Sequence, residues 1–60
     1  MPFVRIELFE GRSPEQKAAI ARDVTEVISK HANAPKENIH VIITDLKEGE
    51  LFQRGEMKQK

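Results

Sequence analysis

The stretch Phe3-Val4-Arg5-Ile6-Glu7-Leu8-Phe9, followed at once by Glu10-Gly11-Arg12-Ser13-Pro14-Glu15-Gln16, decides how this chain folds. In an extended chain Val4, Ile6 and Leu8 share one face, while Arg5 and Glu7 point to the other. The spacing therefore predicts a strand over 3–9. Phe3 and Phe9 interrupt the polar face at both ends, which makes them candidates for subunit contacts. Glu10-Gly11-Arg12 reads as a short turn. Ser13 can cap a helix, Pro14 suits its first position, and Gln16 completes a capping box.

From that start a helix is expected to run to about Ala32. Ile20, Val24, Val27, Ile28 and His31 recur at helical spacing, with Ala18, Ala19 and Ala21 as helix formers around them. His31, late in the helix, suits the last carbonyls and the helix dipole rather than catalysis. Asn33 is a left-handed stop, and Pro35 prevents continuation. A second strand is expected over Ile39–Leu46, apolar at consecutive central positions, as befits a strand covered on both faces. Strand, helix and strand in this order make a βαβ unit with parallel strands and a right-handed crossover. The remaining tail is turn-rich but holds Leu51 and Phe52, and reads as a short hairpin or arm lying on a neighbouring subunit. The fold class is therefore α/β: a single βαβ unit that pairs with other subunits into a larger sheet, residues 1–60 forming one domain.

Sixty residues bury little. A chain of this length hides only about 60% of the surface its unfolded form exposes, while ordering it costs roughly 1.5 kcal/mol per residue. There is no Cys for disulfides, and no Cys/His spacing for zinc. Association is the remaining source of stability. Ten basic and ten acidic residues balance and are interspersed, so neither nucleic acid nor an anionic membrane is favoured as a partner. No apolar run has the length of a signal peptide or a membrane span, and the cytoplasm is the expected location.

Pro2 is the chemically distinctive residue. Removal of Met1 ahead of a small residue would leave Pro2 as a secondary amine with a ring-fixed direction. With no Cys, no Tyr and two His, few groups titrate near neutral pH. An α-amino group is one of those that do. A free Pro2 is therefore a candidate general base or nucleophile, the alternative being a proline that merely favours processing.

Pro2 after Met1, the first strand, the run Leu8-Phe9-Glu10-Gly11-Arg12-Ser13-Pro14-Glu15-Gln16-Lys17, and then Val41-Ile42-Ile43-Thr44 with a Gly-containing tail resemble the 4-oxalocrotonate tautomerase family. The resemblance covers nearly the whole chain. It implies a hexamer built as a trimer of βαβ dimers, with sites at subunit contacts. It also implies an amino-terminal proline that shuttles a proton between carbons of a conjugated keto or enol acid, with no metal or organic cofactor. Such chemistry needs a neutral base of moderate strength beside the carbon and a donor where negative charge develops on oxygen.

By the same resemblance Arg12 contacts a substrate carboxylate, for which a guanidinium fork is well shaped. The alternative is a solvated turn arginine. Two departures from the family pattern stand out. Where its members carry a second arginine near the start of the second strand, this chain has His40, either a hydrogen-bond donor to the substrate carbonyl or an ordinary strand histidine. Where the family has a tail aromatic lining the wall near proline, the alignment gives Leu51 with Phe52 beside it. One residue of slippage exchanges their facing, and Phe52, supplying more apolar wall, is preferred. Arg54 falls where glycine is common; it is either a solvated charge or the cation that His40 does not supply. A tautomerase is the leading reading. A hydratase or dehalogenase-like relative, or a non-catalytic oligomeric scaffold that lost the second arginine, are the alternatives.

Overall fold

The computed structural model describes residues 2–59. Met1, whose removal would free the Pro2 nitrogen, lies outside them. Strand β1 (Phe3–Phe9) leads into helix α1 (Pro14–Ala32), a 3-10 turn (Lys36–Asn38), strand β2 (His40–Leu46), and a hairpin of β3 (Phe52–Gln53) and β4 (Glu56–Met57). β1 and β2 are parallel, with Phe3 opposite His40 and Phe9 opposite Leu46. Their ladder runs one residue past each end of β1. The His40 N–H donates to the Pro2 carbonyl at 3.0 Å, and the Glu10 N–H to the Leu46 carbonyl at 2.8 Å.

The helix begins where the sequence places it. Ser13 Oγ accepts from the Gln16 N–H at 3.2 Å, while Gln16 Oε1 accepts from the Ser13 N–H at 2.8 Å. This reciprocal pair satisfies two of the amide donors that a helix start leaves unpaired. At the other end Asn33 takes the left-handed conformation, φ 56°, and the Ser29 hydroxyl donates to the Ala34 carbonyl at 2.7 Å. The 3-10 turn that follows was not expected from the sequence. It also moves the start of the second strand from Ile39 to His40, because the Ile39 N–H closes that turn on the Lys36 carbonyl at 3.0 Å.

Helix α1 covers one face of the two strands. Val4, Ile6, Leu8, Val41 and Ile43 are half-buried beneath Ile20, Val24 and Ile28, and Lys17 Nζ reaches Asp45 Oδ2 at 2.7 Å across that layer. Lys36 pairs with Glu26, tying the 3-10 turn to the helix. Val27 and His31, expected on the apolar stripe, remain exposed. Val27 lies at the margin of the stripe, and His31 belongs to the last helical turn.

The opposite face of the sheet is uncovered. Phe3 is 59% exposed and Ile42 37%, so the two-sided cover that the apolar centre of β2 calls for is not supplied within one chain. Ile39, at 9% exposure, is the one buried core residue among those described. The molecule measures 39 × 26 × 14 Å, with a radius of gyration of 13.9 Å. A compact chain of this length would have a radius near 10 Å. A slab only one helix and one sheet thick cannot enclose a core. We therefore expect sedimentation at low micromolar concentration to show an assembled species and no folded monomer; a stable folded monomer would contradict this packing account.

Candidate active site

Pro2 is half-buried, and its carbonyl is held by the His40 N–H at 3.0 Å. Pro2 is thus tied into the β1–β2 ladder. Across the strands, the rings of Phe3 and His40 stack with centroids 4.8 Å apart and planes inclined by 22°. Phe3, a candidate for subunit contact, also makes this stack, which the sequence does not reveal. The signal that would have revealed it is the parallel register, which sets residue 3 opposite residue 40. Strand alternation sends both these rings to the open face, while Pro2 follows Val4 toward the opposite one. Pro2 and His40 of one chain are therefore neighbours in backbone and divergent in side chain.

Arg12 stands at the far end of β1, in the loop between strand and helix. Gly11, at φ 125°, shapes that turn, and Arg12 Nη1 donates to the Phe9 carbonyl at 3.0 Å. The bond fixes one edge of an exposed guanidinium and leaves its other N–H donors to face outward. Seven strand residues at about 3.3 Å each separate Pro2 from this turn, so the two lie roughly 20 Å apart. A small keto acid cannot touch both within one chain.

The tail forms the expected hairpin. β3 and β4 are antiparallel, with Phe52 opposite Met57 and Gln53 opposite Glu56, and the Lys58 N–H closes the base on the Leu51 carbonyl at 2.9 Å. Arg54 and Gly55 make its two-residue loop with φ 57° and 80°, the pair of left-handed residues that a type I′ turn requires. For arginine that conformation costs roughly 1 kcal/mol or more. Leu51, Phe52 and Arg54 are exposed, and the hairpin leaves the sheet from the end of β2 that adjoins the Arg12 turn. The candidate residues thus fall into two groups, Pro2 with His40 at one end and Arg12 with the hairpin at the other. Among the described residues, one chain encloses no cavity, and no cluster of His, Asp and Glu is placed to hold a metal ion. None of the described helices is long and apolar enough to cross a membrane.

Comparison with known proteins places this arrangement. The family model for tautomerase enzymes matches residues 2–60. The chain belongs to the tautomerase family. A probable tautomerase of Streptococcus pyogenes serotype M3 is 67% identical over 60 residues, covering 100% of this chain and 98% of the relative. Among solved structures, a 4-oxalocrotonate tautomerase isozyme from Methylibium petroleiphilum is 41% identical, with a TM-score of 0.83 over 90% of this chain and 87% of the other. A heterohexameric 4-oxalocrotonate tautomerase from Chloroflexus aurantiacus is 30% identical, with a TM-score of 0.86 over 95% of this chain and 92% of the other. The tautomerase βαβ fold expected from the sequence is the fold observed.

Proposed function

We propose that this protein is a tautomerase that moves a proton within an enol or unsaturated keto acid carrying at least one carboxylate, with Pro2 as the base and then the acid. Residues 1–60 act as one domain in the cytoplasm, and Met1 is removed to free the Pro2 nitrogen. The observation that carries the reading is the ladder bond from His40 to the Pro2 carbonyl. A group that must meet one carbon of a bound substrate has to be fixed in direction, and that bond anchors the residue bearing it.

In the reaction the neutral amine of Pro2 takes a proton from the substrate, and electron density passes through the conjugated system. The protonated amine then returns the proton to a different carbon. Nothing is oxidised or reduced, and the proline amine together with a hydrogen-bond donor at the oxygen supplies the proton transfer without a metal or organic cofactor. As the first proton leaves, negative charge gathers on the carbonyl oxygen, where a donor lowers the barrier; His40 of another copy fills that role, because within one chain its ring and Pro2 face opposite sides of the sheet. Arg12 holds a carboxylate, Phe52 or Leu51 supplies the apolar wall, and Arg54 adds a second cation near the substrate. The separation of about 20 Å between Pro2 and Arg12 along β1 makes the working site composite. One copy contributes Pro2, and others contribute His40 and the Arg12 and hairpin end, within a homohexamer.

Three experiments test this reading. Pro2→Ala keeps a primary amine in nearly the same place and should impair enol-to-keto conversion without preventing assembly. A residue retained ahead of Pro2 should do more harm, because the nitrogen becomes an amide. In the parent, kcat/KM should fall toward acid pH, where a protonated amine cannot accept a proton. Full activity in protein whose mass shows Met1 retained would sink the proline mechanism.

Arg12→Ala should chiefly raise KM, since the carboxylate is bound in ground and transition states alike. His40→Ala should chiefly lower kcat, since it meets charge that appears only as the proton moves. Unchanged constants for His40→Ala would return it to an ordinary strand histidine and leave Arg54 as the candidate donor.

Finally, a Pro2 variant and an Arg12 variant, each nearly inactive, should complement one another when refolded together. In a random equal mixture about a quarter of composite sites receive both native residues. Failure to regain any activity in mixed oligomers would place both residues of a site on the same chain.

A further inference from the structure

The outer edge of β1 is built to receive a strand. Among the described residues β1 has a neighbouring strand on one side only, β2. The Pro2 carbonyl and the Glu10 N–H both turn toward β2. Alternation along the strand then turns the N–H and C=O groups of Phe3, Arg5, Glu7 and Phe9 outward, away from β2. Such a row of backbone groups is a template for another strand. The side chains of the same residues belong to the open face, where Phe3 is 59% exposed.

The order of those side chains says which strand fits. Read backwards, Phe3, Arg5, Glu7 and Phe9 become phenylalanine, glutamate, arginine and phenylalanine. A second β1 laid antiparallel about a two-fold axis at Ile6 therefore sets Arg5 opposite the partner's Glu7 and Phe3 opposite the partner's Phe9. On the helix side Val4 meets the partner's Leu8, and Ile6 meets the partner's Ile6. All seven residues of β1 are paired in this way. Moving the axis to Arg5 or to Glu7 sets like charges directly opposite each other, which destabilises an antiparallel pair, and shortens the ladder. An axis between residues sets both charges against apolar side chains and sends the two helices to opposite faces.

We propose that β1 pairs antiparallel with β1 of a second copy about an axis at Ile6, and that this pairing brings the partner's Arg12 to Pro2. It rests on the roles given to those two residues above, and deepens them by naming the copy that supplies the arginine. Within one chain the two lie roughly 20 Å apart along β1. In the pair Pro2 lies opposite the partner's Glu10, with about 4.5 Å between Cα atoms. The partner's Arg12 follows two residues on, a stretch of chain that spans at most about 7 Å. The axis makes the two ends of the joined strands equivalent, so each pair holds two such sites.

Introduced cysteines test the register, since the chain has none of its own. Val4→Cys and Leu8→Cys, refolded together under mild oxidation, should give a covalent dimer on a non-reducing gel, because residues opposite each other in this ladder stand at disulfide distance. Either variant alone should run as a monomer, its cysteines standing far apart in this register. If sedimentation shows that these variants do not assemble, Arg5→Cys and Glu7→Cys, both at exposed positions, take their place with the same expectations. No link in an assembled mixture, or a link in either variant alone, would overturn the proposal.

The linked pair then tests the site. With Pro2→Ala on one of its chains and Arg12→Ala on the other, one site of each pair loses both residues and the other keeps both. About half the activity of the linked pair without those substitutions should remain. An arginine from any other copy would leave about a quarter, and one from the same chain none; either result would overturn the pairing of Pro2 with the partner's Arg12. If the parent turns over no enol acid, the tautomerase reading fails by itself. The cross-link then decides the proposal alone, since the register fixes which arginine adjoins Pro2.

Discussion

One helix can cover only one face of a two-stranded sheet, and everything else about this protein follows from that constraint. β1 and β2 carry apolar residues on both sides, yet α1 lies over Val4, Ile6, Leu8, Val41 and Ile43 alone. What remains is a slab 14 Å thick with a single buried core residue, Ile39, among those described. Hydrophobic stabilisation scales with area removed from water, and the open face, with Phe3 and Ile42 exposed, leaves much of that area in water. The half-buried layer sets the direction of the strands, and the uncovered layer sets the need for company.

The same constraint divides the chemistry. Parallel strands joined by a crossover helix have distinct ends, and the chain spends both. Pro2 and His40 sit where the strands begin, while Arg12 and the hairpin sit where they finish. A site that needed both groups would be impossible in an isolated chain and natural in an assembly whose copies run in opposite directions. On the function proposed above, association supplies both a core and the second half of a binding site.

Much of this architecture was legible in the residues, because short-range rules govern it. Alternation fixes β1, and the reciprocal Ser13–Gln16 pair fixes the start of α1. A left-handed Asn33 ahead of Pro35 fixes its end. The three-residue 3-10 turn escaped, since Lys36-Glu37-Asn38 is too short to show a period. The Phe3–His40 stack escaped because it depends on strand register, which emerges only when both strands are in place. So did the bond from Arg12 to the Phe9 carbonyl, a product of the particular path through Gly11. Leu51 and Phe52 are adjacent in sequence and point to opposite sides of the hairpin. Nothing local distinguishes the two sides, because both residues are exposed and neither packs on the rest of the chain.

The hairpin is folded by its own bonds: the β3–β4 pairing, the Arg54-Gly55 loop and the closure from Lys58 to Leu51. A two-residue loop of this kind dictates its own strand register, independently of the β1–α1–β2 layer. Side chains at its tip can therefore be exchanged while the ladder that holds Pro2 stays the same. The chain is modular at a scale far below that of a domain. The β1–β2 frame carries Pro2, and the eight residues from Leu51 to Lys58 close on themselves, so a substitution at their tip leaves the register of that frame untouched.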